Sequence, residues 1–373
     1  MIICSCSFSD VGALCEEKLF PCCPEITWIS QRYGYVKGGC MSMLIEQMPD
    51  IKDFIAEAFR KRLPVLFIGA TGIAVRLLAE HVKDKFLDSP VLVMDVERKF
   101  VIPLLSGHVG GANELAVLIA ERTGAVPVIT TGSDVRETFA IDVFAKRNGF
   151  SIVNRESVKH VTGKLLRGEK ACVWVHPSVA CPLDGVPPEL LLSQAATPPE
   201  SADIIVLPDE SSASGVAYGD RCVVLVPKLY CVGIGCKQGK TFDELFSFLE
   251  ENLSSDVLEN MCAIASIDLK SYEIGLMEIA QYHHVPFKTY SAEELDAVPG
   301  EFSESEFVKE KTGVSNVCER AAVKCAGEGG VLVCKKIAKD GMTVAVAKRK
   351  PKIVTWKTDA KEILKEFERC VKK

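Results

Sequence analysis

The sequence lacks any run of the roughly 20 apolar residues that a membrane-spanning helix needs. Its longest early uncharged stretch, Leu63 to Val75, ends at Arg76. The opening Met1-Ile2-Ile3-Cys4-Ser5-Cys6 carries no basic region ahead of an apolar run, so no export leader is expected. Positive charge is not in excess: the formal net charge is −6, which argues against a sequence-blind nucleic-acid binder. No internal repeat and no low-complexity tract is present, which excludes solenoids and linker arrays. There is no Cys-x-x-Cys pair, and neither Cys4/Cys6 nor Cys22/Cys23 has Cys or His partners at zinc-site spacing. The sixteen cysteines are scattered over 373 residues, so they are expected as reduced, small hydrophobes in a cytoplasmic protein.

Two phosphate-binding signatures are also missing, each by one position. Gly239-Lys240-Thr241 supplies the end of a P-loop, but the required first glycine is Ile234. Gly233-Ile234-Gly235 begins a dinucleotide fingerprint, but Gln238 stands at its third glycine. ATP and NAD are therefore disfavoured.

What is present is a globular composition, 48% hydrophobic and 25% charged, long enough for two or three domains. Short β-rich runs alternate with amphipathic stretches of helical length, which predicts a multi-domain α/β protein of strand–loop–helix units with mostly parallel sheets. The pattern divides into an N-terminal α/β domain over 1–138, a central α/β domain over 139–227 and a C-terminal α/β domain over 228–350. A tail or appended helix follows over 351–373, and Pro227-Lys228 marks the second seam. In the first part, strands are expected at Ile2–Cys6 and Pro64–Ile68, with a Cys/Gly-rich connector between them before a helix over Asp50–Arg62. A helix from Ile73 should bury Val75, Leu78, Ala79 and Val82, and Pro90–Asp95 with Phe100–Leu105 reads as a hairpin.

Three strand–loop–helix junctions could carry chemistry, because α/β folds bind ligands beyond the carboxyl ends of their strands. They are Gly69-Ala70-Thr71-Gly72, Ser106 to Glu114, and Gly233 to Thr241. The richest is Ser106-Gly107-His108-Val109-Gly110-Gly111-Ala112-Asn113-Glu114, which groups a hydroxyl, an imidazole, glycines, an amide and a carboxylate. His108 can serve as a base near neutral pH, and the N–H groups of Gly110 and Gly111 could hold a developing oxyanion. The competing reading is a structural His108, with Asn113 capping the following helix. Ser106, two residues before His108, is not by that spacing a nucleophile–base pair. Glu319-Arg320 and the Asp268 to Glu273 segment are weaker candidates, equally readable as surface charge.

These segments resemble the cobalt-precorrin-5A hydrolase family. The resemblance runs through Gly69 to Arg76, Leu104 to Leu115, Val128 to Thr131, Val232 to Lys237, Ala265 to Lys270, Ser305 to Val308 and Val317 to Ala322. It covers roughly Leu63 to Ala347, with the Ser-Gly-His-x-Gly-Gly-Ala-Asn-Glu block as its most specific part. The first 45 residues match poorly, and Gly132-Ser133 departs from the expected Ala-Thr before Asp134. The resemblance implies opening of a δ-lactone on a cobalt-bound tetrapyrrole and release of acetaldehyde, giving cobalt-precorrin-5B. For that chemistry the residues themselves suggest catalytic roles among His108, Ser106 and Glu114, and substrate contacts from Gly72, Gly110, Gly111, Asn113 and Glu319. Arg76, Lys85, Lys237, Lys240, Lys270 and Arg320 are candidate clamps for the substrate's carboxylates. Cobalt would arrive within the substrate, so no resident cofactor or metal is expected; neighbouring enzymes of the pathway are further candidate partners. Two other functions fit parts of the sequence: a non-catalytic tetrapyrrole carrier, and a nucleotide-dependent enzyme built on the Gly233 loop.

Overall fold

The computed structural model describes residues 1–32, 43–44, 50–84, 87–108, 110–132, 136, 138–215, 218 and 221–358. The chain forms two compact units: one holds Met1–Phe144 and takes the chain up again at Lys357, the other spans Ala145–Trp356.

The first unit is built on seven strands: β1 (Ile2–Ser7), β2 (Thr27–Arg32), β3 (Met43–Leu44), β4 (Val65–Ile68), β5 (Val91–Met94), β6 (Phe100–Leu105) and β7 (Val126–Pro127). Their order in the sheet is β3-β2-β1-β4-β5-β6-β7. Neighbours from β3 to β5 are parallel, β6 runs antiparallel to β5, and β7 follows β6. Every residue of β1, β4 and β5 is buried, as expected of central strands covered on both faces. One face packs Ile3, Leu66, Ile68 and Leu92 under Cys15 and Leu19 of helix Asp10–Leu19 and Ala116 and Ile119 of helix Ala112–Thr123.

The stretch read as a Cys/Gly-rich connector thus begins with a helix and a strand. Ser9 starts that helix by accepting a hydrogen bond from the Gly12 N–H at 3.1 Å. Helix Thr71–Leu78 also corrects an expectation. It buries Ala74 and Leu78, one turn apart, and leaves Val75 50% and Val82 46% exposed. The helix ends before Val82, and its buried stripe runs through Ala74 and Leu78, one residue round from the Val75–Leu78–Ala79 face expected.

Register fixes where each junction leaves the sheet. Ile68 pairs with Met94 and Met94 with Val101, while Val65 pairs with Val91 and Val91 with Leu105. Gly69–Gly72 therefore follows the carboxyl end of β4, whereas the turn after Leu105 emerges at the opposite edge, where β4 and β5 begin. Four strand residues, roughly 10 Å or more, separate the two edges.

The second unit carries two five-stranded sheets. One comprises β8 (Phe150–Ile152), β9 (Ala171–Val175), β10 (Leu190–Ser193), β11 (Ile204–Val206) and β12 (Val223–Pro227), in the order β10-β9-β11-β12-β8. It is parallel apart from β8, which runs against β12. The other comprises β13 (Tyr230–Cys236), β14 (Met261–Ile267), β15 (Phe287–Tyr290), β16 (Val331–Lys339) and β17 (Met342–Lys348), in the order β15-β14-β13-β17-β16. Pro227 ends β12, and Lys228 lies between it and β13. Gly233, one of the near-miss motif glycines, has a packing role: a Cβ there would lie 1.9 Å from the Cys318 carbonyl oxygen. Helix Cys318–Ala326 therefore rests directly on β13.

Candidate active site

The Ser106 turn is a folded object whose parts explain one another. Ser106 sits at φ +53°, an uncommon left-handed conformation for a side-chain-bearing residue. Its hydroxyl donates to the Asp88 carbonyl at 2.9 Å, tying the turn to the segment that leads into β5. Its own carbonyl accepts from the Ala112 N–H at 3.2 Å, and the Gly107 carbonyl accepts from the Asn113 N–H at 3.0 Å. The glycines are steric requirements. A Cβ at Gly107 would stand 2.7 Å from Asn113 Oδ1, and one at Gly110 would stand 2.5 Å from Ser106 Cβ. Gly111, at φ +91°, opens helix Ala112–Thr123 without a side-chain cap.

His108 is held at the centre of this turn. Its Nδ1 lies 3.3 Å from Asp142 Oδ2, and both side chains are largely buried, 13% and 14% exposed. A carboxylate on Nδ1 holds the proton there and leaves Nε2 as the basic nitrogen. Asp142 sits in the first turn of helix Ile141–Asn148. The same unit closes around it, since the Ala140 N–H donates to Thr358 Oγ1 at 3.2 Å. Asn113, 2% exposed, does not cap its helix; its Nδ2 donates to Thr131 Oγ1 at 2.9 Å. Sequence reasoning missed Asp142 and Thr131. An acidic residue in a first helical turn has an ordinary explanation in the helix dipole, and nothing in the spacing links it to His108.

The other sequence candidates distribute as follows. Gly111 cannot offer its N–H to a ligand, because it donates to the His108 carbonyl at 3.1 Å. Among the described residues the Gly110 N–H makes no such bond. Ser106 is engaged with Asp88, and Glu114 lies in the first turn of helix Ala112–Thr123, partly exposed. Gly72 and Arg76 belong to the opposite edge of the sheet, where Arg76 Nη1 donates back to the Gly72 carbonyl at 3.0 Å. The structure does not bring them to His108. Lys85 lies outside the described residues.

In the second unit, Lys237, Lys240 and Lys270 gather beyond the carboxyl ends of β13 and β14. Lys240 pairs with Glu244 at 2.6 Å and Lys270 with Glu273 at 2.8 Å, while Glu273 also takes the Gly239 N–H at 2.6 Å. Lys237 is exposed. Glu319 is fully buried and accepts four hydrogen bonds, from the Ser303 N–H and hydroxyl, Asn316 Nδ2 and the Lys336 N–H, at 2.7 to 2.9 Å. Arg320 Nη1 donates to the Leu295, Asp296 and Val298 carbonyls, and its guanidinium stacks 4.9 Å from the Phe302 ring centre. Glu319 and Arg320 thus brace helix and loop ends.

Comparison with known proteins follows the same map. The Cobalamin synthesis G N-terminal family matches residues 53–134, and the Cobalamin synthesis G C-terminus family matches residues 230–347. The first match contains the His108 turn, and the second contains the lysine cluster with Glu319 and Arg320. Together they span more than half of the chain, which belongs to the cobalamin synthesis G family, that of the cobalt-precorrin-5A hydrolases. The chain is 36% identical to the cobalt-precorrin-5A hydrolase of Salmonella typhimurium over 298 residues, 78% of this chain and 83% of the relative. It is 32% identical to that of Priestia megaterium over 321 residues, 81% and 84% of the two chains. A probable cobalt-precorrin-5A hydrolase of Methanocaldococcus jannaschii is 26% identical over 309 residues, 80% and 88% of the two chains.

Proposed function

We propose that this chain hydrolyses cobalt-precorrin-5A, opening the δ-lactone of the macrocycle and releasing acetaldehyde to give cobalt-precorrin-5B. The observation that carries the reading is the His108–Asp142 pair, of which His108 lies within the matched N-terminal family region and Asp142 beyond it. His108 Nε2 takes a proton from the water that attacks the lactone carbonyl, and Asp142 stabilises the imidazolium that results. The Gly110 N–H and the positive end of helix Ala112–Thr123 are the local groups suited to the carbonyl oxygen's growing charge. The lactone C–O bond then breaks to a carboxylate and a free hydroxyl. Removal of the hydroxyl proton breaks the adjoining C–C bond: the carbon and its methyl leave as acetaldehyde, and the conjugated ring accepts the electron pair.

In this reading cobalt is part of the substrate, the protein contributes no cofactor, and the reaction is cytoplasmic. Among the described residues no helix is long and apolar enough to cross a membrane.

The test is acetaldehyde formation from cobalt-precorrin-5A by the purified protein. One equivalent per substrate is expected. Tight binding of the macrocycle without acetaldehyde would make the protein a carrier instead.

A further inference from the structure

The Ser106 turn has a neighbour at its own edge of the sheet. β7 runs parallel to β6, with Phe100 beside Val126 and Val101 beside Pro127. The Val128 N–H carries this ladder one residue further by donating to the Val101 carbonyl at 2.9 Å. The segments that follow β6 and β7 therefore leave the sheet at the same edge, beyond the carboxyl ends of two parallel strands, where α/β folds hold ligands. Asn113 bridges the two exits. Its Nδ2 donates to Thr131 Oγ1 at 2.9 Å, and its Oδ1 stands 2.7 Å from where a Gly107 Cβ would lie, one residue before His108.

This bridge sets the direction of the Thr131 hydroxyl. Asn113 is 2% exposed, and its amide N–H occupies an acceptor position on Thr131 Oγ1. The hydroxyl proton then points away from Asn113. Among the described residues nothing accepts that proton, and Thr131 is only partly buried. A hydroxyl whose oxygen is held by a buried amide, and whose proton has no acceptor there, is a preorganised donor for a ligand oxygen.

We propose that Thr131 donates this hydrogen bond to the lactone carbonyl oxygen of the substrate, as a second donor beside the Gly110 N–H. This role rests on the lactone hydrolysis proposed above. It supplies what the turn lacks, because the Gly111 N–H is spent on the His108 carbonyl at 3.1 Å. As water adds to the carbonyl carbon, negative charge grows on its oxygen and the bond from Thr131 strengthens. Thr131 keeps its proton throughout; the proton of the attacking water goes to His108.

The test compares acetaldehyde release from cobalt-precorrin-5A by the wild-type, Thr131→Val and Thr131→Ser proteins, with the pH profile of kcat recorded for each. Thr131→Val keeps the shape and removes the donor, so kcat should fall by roughly 10²–10³-fold with KM little changed. The midpoint of the pH profile should stay in place, because His108 keeps its surroundings, and Thr131→Ser should recover most of the lost turnover. A shifted midpoint in Thr131→Val, or no recovery in Thr131→Ser, would make Thr131 a support for the turn and overturn the proposal. If Thr131→Val does not fold, Thr131→Ala removes the same hydroxyl with less bulk and carries the same expectations. Wild-type turnover in the variant lacking the hydroxyl overturns the Thr131 role alone. A wild-type protein that releases no acetaldehyde overturns the hydrolase reading and this role with it.

Discussion

Asp142 Oδ2 stands 3.3 Å from His108 Nδ1, joining the first turn of one helix to a turn 34 residues earlier in the chain. The pair explains how an imidazole on a glycine-rich turn keeps one orientation and one tautomer. Replacing Asp142 by Asn keeps the shape but lets the amide stabilise the wrong tautomer. On the order of 10²–10⁴-fold loss of kcat is expected for Asp142→Asn, with KM little changed. Steady-state acetaldehyde kinetics measure it; an unchanged kcat would remove Asp142 from the catalytic unit.

Gly110→Ala tests whether the turn is a rigid support. The new methyl would sit 2.5 Å from Ser106 Cβ and 2.7 Å from the Ser106 carbonyl oxygen. Relief requires the turn to move, so a stability loss of about 1–3 kcal/mol and a fall in kcat are expected together. Chemical denaturation and turnover, measured on the same preparation, check both.

Glu319→Gln should behave differently. Four donors converge on its buried carboxylate, and an amide nitrogen would face some of them with another donor. A destabilisation of about 2–4 kcal/mol is expected, from weakened charge-assisted bonds and stranded donors. In whatever fraction remains folded, kcat should stay near the wild-type value. A loss of kcat at full stability would instead put Glu319 in the chemistry.

Arg76→Ala separates the two edges of the first sheet. Arg76 and Gly72 leave β4 at its carboxyl end, opposite the edge that carries His108. The substitution should leave kcat unchanged and stability nearly so, since Arg76 is exposed and its bond to the Gly72 carbonyl lies within its own helix. A kcat collapse would show that the substrate reaches both edges.

Much of this architecture was legible because hydrophobic pattern and turn chemistry are local. The strands Ile2–Cys6 and Pro64–Ile68 and the hairpin of Pro90–Asp95 with Phe100–Leu105 follow from apolar runs bounded by breakers. The helix Asp10–Leu19 was not legible: its Glu16 is fully buried, bonded to the Ser5 and Ser30 hydroxyls, so no clean apolar face shows in the sequence. The short strands Phe150–Ile152 and Leu190–Ser193 are too brief to show a period. At the site, His108 was legible through its glycines, whereas Asp142 was not, because only the fold brings it near. The expected oxyanion role of Gly111 failed for a similar reason: its N–H is already spent inside the turn.

The most direct measurement is single-turnover acetaldehyde release by His108→Ala, with binding of cobalt-precorrin-5A followed on the same samples. The macrocycle should bind about as well as it does to the wild-type protein, while release slows by roughly 10²–10⁴-fold. Release at the wild-type rate from a folded His108→Ala protein would contradict the assignment of His108 as the base.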